Sequence, residues 1–233
     1  FVIWDKNKQE LFGARDHFGI KPFYYAKMNG TFMYASEIKS LLRHPDFVKE
    51  LNAEALKPYM TFQYPAIGET FFKGVYKLPE GHYFTYRDGK MDIHRYYDED
   101  FREGKQKLGE LVNSIDQTVC DSVKAHQIAD VEVGSFLSSG VDSSYVAAVA
   151  RPQHTYSIGF GKGTYNESQQ AGELAELLKL NNTAESLTDE EAFAAFPRIQ
   201  WHLDEPDSNP SCVPLYFLSA LAAKDVKVVL SGE

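Results

Sequence analysis

The first hundred residues consist of short aromatic and β-branched runs separated by turn residues, a pattern typical of β-strands. We interpret six runs as strands: residues 1–4, 11–15, 23–26, 31–35, 82–86 and 91–96. Asn29-Gly30 and Asp88-Gly89 each lie between two of these runs, and Asn or Asp followed by Gly supplies the positive φ angles of a tight hairpin turn. The pattern therefore predicts two antiparallel hairpins, with short helices after Ser36 and Asn52.

The second half of the chain has a different pattern. Residues 98–107 are charged and aperiodic, as in a linker, which predicts domains at 1–99 and 105–233. Apolar residues at three- and four-residue spacing then predict an amphipathic helix with one buried stripe: Leu108, Leu111, Val112, Ile115 and Val119. Strands are predicted at 131–137, 155–160 and 226–230, and helices at 142–150, 166–178, 213–224 and after a capping box of Thr188 and Glu191. This alternation favours a parallel sheet covered by helices, with ligands at the carboxyl ends of its strands.

Composition narrows the function classes. The 233 residues include 24 Lys and Arg against 33 Asp and Glu, and the resulting net charge of −9 argues against a nucleic-acid partner. No apolar run approaches the roughly 18 residues of a membrane span. With two cysteines and no signal-peptide pattern, we expect a cytoplasmic protein. Because the chain begins at Phe1 and ends three residues after an apolar run, we also expect a fragment in which both domains are truncated.

The most informative segment is residues 138–144, Ser-Ser-Gly-Val-Asp-Ser-Ser, between a predicted strand and a predicted helix. Small residues let the backbone approach an anion, hydroxyl and N–H groups donate hydrogen bonds, and the helix dipole adds positive charge, so a phosphate or pyrophosphate fits. The absence of a Lys after the Gly excludes the phosphate loop of kinases and GTPases. Phe136 excludes a G-x-S-x-G nucleophile elbow. A simple helix cap is the alternative.

Residues 137–144 resemble the S-G-G-x-D-S-S loop of ATP pyrophosphatases, although Ser139 replaces the first Gly and would crowd a pyrophosphate if this position needed a positive φ. Residues 156–160, Tyr-Ser-Ile-Gly-Phe, resemble the strand that flanks the adenine in this family. Residues 228–233 resemble its V-V-L-S-G-E segment. Between them, Leu203-Asp204-Glu205-Pro206 and Pro214-Leu215-Tyr216 resemble a stretch of glutamine-hydrolysing asparagine synthetases.

The N-terminal part resembles class II glutamine amidotransferase domains. Residues 13–25 match the G-R-D-x-x-G-x-x-P-L-Y-Y signature, and residues 35–39 and 77–82 match the A-S-E-x-K and L-P-P-G-H segments. By residue type these are a charged turn, a helix cap and a Pro-Gly turn, so we assign them no catalytic role. The family's nucleophile is an N-terminal Cys upstream of Phe1, and Cys120 and Cys212, which we expect to be buried thiols, cannot replace it. The chain as given is therefore expected to lack glutaminase activity.

The resemblance implies a mixed α/β and α+β chain of two partial domains. A strand-rich remnant of an N-terminal-nucleophile hydrolase would precede a truncated, Rossmann-like parallel α/β ATP-pyrophosphatase domain. The implied enzyme is an ATP-dependent amide ligase that converts aspartate to asparagine through β-aspartyl-AMP, with ammonia derived from glutamine, and releases AMP and pyrophosphate. Its substrates would be aspartate, ATP and glutamine or ammonia, and the resemblance allows for a homodimer.

The same resemblance assigns site residues. Those that would bind ATP are Leu137, Ser138, Ser139, Gly140, Val141, Asp142, Ser143, Ser144, Ile158, Ser231 and Gly232. Asp142 would also hold Mg²⁺ through a carboxylate oxygen, and Glu233 would be the catalytic residue, accepting a proton from the attacking nitrogen. The seven histidines share no metal-ligand spacing with each other or with the cysteines.

Two alternatives stay open on the sequence. A member of the same class could adenylate a different carboxylic acid, because the pyrophosphatase loop does not encode the acid, although the stretch at 204–216 favours aspartate. A noncatalytic nucleotide-binding remnant is the second alternative, and the arguments for it are Ser139 in place of the family's first Gly and the expected truncation at both ends.

Overall fold

The computed structural model of the chain describes residues 1–160 and 167–232, and these form two compact units. The first unit consists of residues 1–102 together with 200–209, and the second consists of the remaining described residues. Residues 98–106, within the predicted linker, have no helix or strand. The membership of residues 200–209 in the first unit was not predicted, since nothing in their local pattern separates them from the residues around them.

The first unit contains two antiparallel sheets and two short helices. One sheet has the strand order β1-β2-β6-β7 and the other has the order β4-β3-β5. Their strands are β1 (Val2–Asp5), β2 (Glu10–Ala14), β3 (Tyr24–Met28), β4 (Thr31–Ala35), β5 (Val75–Lys77), β6 (His82–Arg87) and β7 (Lys90–Arg95). The helices are α1 (Ile38–Leu41) and α2 (Leu56–Phe62), the second preceded by a 3₁₀ turn at Ala53–Ala55.

Both predicted hairpins are confirmed. Asn29 and Gly30, with φ of 50° and 82°, join β3 to β4, and Asp88 and Gly89, with φ of 50° and 74°, join β6 to β7. Positive φ at both central positions matches the twist of the flanking strands. The sequence pattern missed β5, which has only three residues and is defined by its pairing with β3.

The charged turn after β2 is stabilised by hydrogen bonds between its side chains and backbone groups. The Arg15 guanidinium donates to the carbonyls of Gly19, Lys21 and Leu78 at 2.7–3.0 Å. Asp16 accepts hydrogen bonds from the backbone N–H groups of Phe18, Ile20 and Lys21. Burial alone raises the pKa of Asp16, but these three N–H groups outweigh it and lower the pKa. These contacts agree with the structural role predicted for this segment.

Helix α1 is capped by a residue distant in sequence. The Asp204 carboxylate accepts hydrogen bonds from the backbone N–H groups of Ile38 (2.7 Å) and Lys39 (3.2 Å), and lies 2.9 Å from Lys39 Nζ. Glu37 occupies the N-cap position without a side-chain bond, so the cap expected from Ser36 is replaced by this distant carboxylate. The first N–H groups of a helix need such acceptors because they have none within the helix.

The second unit is a four-stranded parallel sheet with helices, as the alternating pattern predicted. Its elements are α3 (Leu108–His126), β8 (Val133–Phe136), α4 (Val141–Ala150), β9 (His154–Phe160), α5 (Glu167–Leu178), β10 (Asn181–Leu187), α6 (Asp189–Leu203), α7 (Cys212–Ala222) and β11 (Val228–Leu230). The last four residues of α6 belong to the first unit. The strand order is β10-β9-β8-β11, and every pair is parallel.

In this unit the sequence predicted a capping box but missed a strand. The capping box is confirmed, because Thr188 N donates to Glu191 Oε2 (2.9 Å) and Glu191 N donates to Thr188 Oγ1 (3.2 Å). The pattern missed β10, a polar edge strand that is defined by its seven-residue pairing with β9. Asn166, the first residue of a predicted helix, lies outside the described residues.

The buried stripe predicted for α3 is wrong for the N-terminal part of this helix. Leu108 is 77% exposed, and Leu111, Val112 and Ile115 are also exposed. Val123 is buried, and with Val119 it packs in a cluster that includes Ala150 and Leu230. In the part of the chain that the structure describes, only the C-terminal end of the stripe therefore has a core to cover it. No described helix combines the length and hydrophobicity needed to cross a membrane.

The cap on α1 generates a stability prediction. We expect Asp204→Ala to lower the free energy of unfolding by about 3 kcal/mol, because it leaves Lys39 without its buried partner and two helix N–H groups without an acceptor. Asp204→Asn, which keeps an acceptor and tolerates the φ of 65° at this position, should cost less. Urea unfolding followed by circular dichroism measures both.

The matched control is Asp100→Ala, which breaks an exposed ion pair with Arg102 and should change stability by less than about 0.5 kcal/mol. If Asp204→Ala were no more destabilising than this control, the capping role would be wrong.

Candidate functional site

A cavity of about 320 Å³ lies in the second unit at the carboxyl ends of its parallel strands. Its walls come from the ends of β8 and β9, the loop between β8 and α4, the start of α7 and the residues after β11. The lining residues are Phe136, Leu137, Ser138, Gly140, Asp142, Ser143, Ile158, Phe160, Ser211, Pro214, Leu215, Leu218, Ser231 and Gly232. This is the edge of an open parallel sheet at which ligands characteristically bind.

The loop after β8 begins at a firmly held residue. Leu137 N donates to the carbonyl of Tyr156 (2.8 Å), and Ser157 Oγ donates to the carbonyl of Leu137 (2.7 Å). Both backbone polar groups of Leu137 are therefore satisfied by β9. Tyr156 is fully buried, and burial with the nearby Asp225 carboxylate raises the pKa of Tyr156 to about 12. The start of the loop is fixed by the rigid centre of the sheet.

The loop itself is rich in hydrogen-bond donors. The hydroxyls of Ser138 and Ser143 lie 2.7 Å apart, Gly140 N donates to Ser138 Oγ (3.1 Å), and Ser144 Oγ donates to the Gly140 carbonyl (2.6 Å). Gly140 is the N-cap of α4 and has no side chain, so it provides no side-chain acceptor for the first N–H groups of this ten-residue helix. Small side chains, hydroxyl donors and a helix N-terminus together form a surface that suits a phosphate.

Asp142 lies in the first turn of α4 and lines the cavity. Because Gly140 is the N-cap, Asp142 does not cap the helix, which removes the structural role that competed with metal binding in the sequence. Among the described residues, its carboxylate has neither an ion pair nor a hydrogen bond to a side chain. It is exposed, and its oxygens are available to a ligand.

Ser139 imposes no backbone strain. None of residues 137–144 has a positive φ, so the loop does not need Gly at the position where Ser139 departs from the family pattern. The argument from Ser139 for a noncatalytic remnant therefore loses its physical basis.

Gly232 makes the closest backbone approach in the cavity. A Cβ atom at this position would lie 2.6 Å from Ser143 Cα, a distance that real Cβ atoms do not show. Only Gly lets the segment after β11 contact the start of α4. This contact joins two segments that the sequence places 89 residues apart (232 − 143).

Eight of the predicted ATP-binding residues line the cavity, and three do not. The three are Ser139, which is exposed, Val141, which is the exposed first residue of α4, and Ser144. The Ser144 hydroxyl donates a hydrogen bond to the Gly140 carbonyl. Glu233, the predicted catalytic residue, lies outside the described residues. Sequence reasoning named neither the apolar wall from Phe136, Phe160 and Leu218 nor the start of α7 as site residues, and only the resemblance at 214–216 pointed towards α7.

Asp204 and Glu205 are not among the residues that line this cavity. Asp204 caps α1, and Glu205 Oε1 accepts a hydrogen bond from the backbone N–H of Phe71 (3.1 Å) in the first unit. The two parts of the stretch at 204–216 therefore lie in different units. The carboxylates of Asp204 and Glu205 accept hydrogen bonds in the first unit, and Pro214 and Leu215 line the cavity in the second.

The donor set of the cavity suits one kind of metal. The described residues contain no cluster of three or more His, Cys, Asp and Glu that could hold an ion by themselves. Asp142 is the carboxylate among the described lining residues. Mg²⁺ is commonly held by one or two carboxylates together with substrate phosphates, so Asp142 beside a phosphate-binding loop fits this ion.

A family model described as "Asparagine synthase" matches residues 114–233. The chain belongs to the asparagine synthase family. A second model, described as "Glutamine amidotransferase domain", matches residues 1–97. The matched ranges place the parallel sheet and its cavity in the asparagine synthase part of the chain.

Several relatives match the whole chain, including the following two. Asparagine synthetase [glutamine-hydrolyzing] 1 of Bacillus subtilis is 40% identical, and a putative asparagine synthetase [glutamine-hydrolyzing] of Mycobacterium tuberculosis is 38% identical. Both alignments cover 100% of this chain and 38% of the relative, so the chain spans less than half the length of these proteins. Among solved structures, an NH3-dependent NAD synthetase from Campylobacter jejuni in complex with the nitrate ion is 18% identical over 52% of this chain and 56% of that chain, with a TM-score of 0.36 that does not establish a shared fold.

The close approach at Gly232 generates the second prediction. We expect Gly232→Ala to weaken binding of pyrophosphate about tenfold or more, because the new Cβ would push the start of α4 away from the loop. Isothermal titration calorimetry measures the affinity. Gly172→Ala is the control, since a Cβ there meets no atom within 4 Å and the site is in a different helix. Equal affinities for the two variants would contradict the proposed contact.

Proposed function

We propose that the second unit supplies the nucleotide-binding cavity of an ATP-dependent amide ligase that converts aspartate to asparagine. The observation that carries this proposal is the donor-rich loop at the carboxyl end of β8, closed by the Gly232 backbone, in a chain of the asparagine synthase family. The names of both relatives support the choice of aspartate and asparagine.

In this proposal the pyrophosphate part of ATP binds at residues 138–144. The hydroxyls of Ser138 and Ser143 exchange their mutual hydrogen bond for phosphate oxygens, and the first N–H groups of α4 donate to the same anion. Leu137 and Ile158 flank the adenine, where the aromatic ring of Phe160 and the side chain of Leu218 add apolar surface. Charge that develops as pyrophosphate leaves is met by donors that are already in place.

Asp142 is the residue that would hold Mg²⁺. When bound, the ion would neutralise phosphate charge near the α-phosphorus, and this is the chemistry it contributes. The carboxylate of Asp142 needs no rearrangement for this role, because it is exposed at the cavity and caps no helix.

The proposed reaction has two steps. An oxygen of the aspartate side-chain carboxylate attacks the α-phosphorus of ATP, and the bond to pyrophosphate breaks to give β-aspartyl-AMP. The nitrogen of ammonia then attacks the β-carbonyl carbon, AMP leaves, and the nitrogen loses a proton to give asparagine. We propose Glu233 as the acceptor of that proton and glutamine as the source of ammonia, the latter supported by the amidotransferase match at residues 1–97.

The proposed domain division follows the two family matches. Residues 1–99 would belong to a glutamine amidotransferase domain and residues 105–233 to a synthetase domain, with the aperiodic segment between them as the linker.

Product analysis tests the proposal. The full-length protein from the source reading frame is given Mg-ATP, aspartate and ammonium, and AMP, pyrophosphate and asparagine are quantified. Equal amounts of the three products are expected, because each turnover cleaves one ATP for one amide. AMP and pyrophosphate only with another acid would show a different substrate, and ATP binding without products from any acid would show a noncatalytic remnant.

A substitution at Asp142 tests the metal-binding role. We expect Asp142→Asn in the full-length protein to weaken the affinity for Mg-ATP about tenfold or more while leaving the affinity for metal-free ATP nearly unchanged, since only the metal contact is lost. Fluorescence titration with a nucleotide analogue, with and without Mg²⁺, measures this difference. Asp130→Asn, at an exposed position outside the cavity, is the control. An equal loss with and without Mg²⁺ would contradict a metal-binding role.

A further inference from the structure

A second cavity of about 380 Å³ lies entirely within the first unit. Residues 64–70, between α2 and β5, form much of its wall, and Arg15, Lys77, Pro79, Glu80 and Glu205 complete it. Its charged side chains carry both signs, with two cations against the carboxylates of Glu69, Glu80 and Glu205. A cavity of this size with convergent charges of both signs suits a small zwitterion.

Glu205 is a largely buried charge in this cavity. Its side chain is only 11% exposed, and one oxygen accepts the Phe71 N–H at 3.1 Å. The other oxygen lies 3.8 Å from Lys77 Nζ, which is too far for a hydrogen bond. Burial raises the pKa of Glu205, and the Phe71 N–H and Lys77 offset only part of this effect. The Glu205 carboxylate is therefore desolvated and has room for a further donor.

Lys77 is the cation that is free to take part. All three nitrogens of the Arg15 guanidinium donate to backbone carbonyls, so Arg15 is occupied as a structural residue. Lys77 Nζ lies 5.5 Å from the centre of the Tyr24 ring, and its side chain is about half exposed. An ammonium with these two loose contacts can turn towards an anion in the cavity.

Part of the wall is apolar, although Glu69, Thr70 and Glu80 also line the cavity. The apolar part offers no side-chain carboxylate or amide to a ligand, and it consists of Tyr64, Pro65, Ala66, Ile67 and Pro79. Ala66 has a φ of 47°, a conformation that is costly for a non-Gly residue.

We propose that this cavity binds a free α-amino acid with an apolar side chain. Its ammonium donates to Glu205 Oε2, its carboxylate accepts from Lys77 Nζ, and its side chain packs against the wall of residues 64–67 and Pro79. The site is separate from the nucleotide-binding cavity, because the two sets of lining residues share no member. The proposal does not depend on the ligase reaction, since such an amino acid is neither aspartate nor glutamine.

Calorimetry with three probes tests the charge requirement. The full-length protein is titrated with L-leucine, with L-leucinamide, which lacks the carboxylate, and with 4-methylpentanoate, which lacks the ammonium. We expect L-leucine to bind and each analogue to bind about tenfold more weakly or worse, because each loses one charge-assisted contact. Absence of L-leucine binding up to millimolar concentration, or equal affinity for the three compounds, would overturn the proposal.

Two variants and a control locate the binding. Glu205→Gln keeps an acceptor for the Phe71 N–H, and with Lys77→Met it should reduce the affinity for L-leucine about tenfold or more. Glu50→Gln is the matched control, since it alters an exposed pair with Lys73 (2.6 Å) in the same unit, outside the cavity, and should leave the affinity unchanged. Wild-type affinity in both cavity variants would place the ligand elsewhere and refute the site. Formation of AMP from aspartate and ATP is measured separately, so failure here is distinguishable from failure of the proposed function.

Discussion

The position of β8 inside the parallel sheet is the constraint on which the cavity at the carboxyl ends of the strands depends. Because β9 and β11 pair with β8 from either side in the same direction, the three strands end at one edge. The loop of donors after β8, the apolar end of β9 and the Gly232 segment after β11 are therefore brought together. Hydrogen bonds between β9 and both backbone groups of Leu137 fix the start of the loop.

The first unit depends on a different interaction, in which two carboxylates from a distant part of the chain, Asp204 and Glu205, are buried against its backbone. Asp204 replaces a local helix cap, and Glu205 bonds to the backbone at Phe71. A buried carboxylate is stable only with partners, and these contacts provide them. Residues 200–209 comprise the last four residues of α6 and the segment that leads to the lining residues at the start of α7. The same short stretch therefore completes the first unit and leads directly into the wall of the cavity in the second unit.

Local rules were reliable where a few neighbouring residues decide the conformation. The Asn-Gly and Asp-Gly turns and the Thr188–Glu191 capping box need only their own backbone angles and hydrogen bonds. The local rules failed for strands whose formation depends on pairing with another strand. Strands β5 and β10 have weak patterns of their own and exist because β3 and β9 offer edges for them. The apolar stripe on α3 was predicted to be buried, but its N-terminal part is exposed. Periodicity shows which face of a helix is apolar and does not show whether another element covers that face.

The sequence by itself determined the alternation of strands and helices in the second unit apart from β10, the loop at 137–144 and the family to which the motifs belong, because each depends on residue types at short spacing. Only the tertiary structure decided that Asp142 is free of a capping role, that Ser139 is unstrained and that Gly232 meets the start of α4. It also showed that the Asp204 and Glu205 carboxylates contact the backbone of the first unit and do not line the cavity of the second. These facts depend on backbone angles and contacts between residues far apart in the chain, and no local pattern encodes which distant segments will meet.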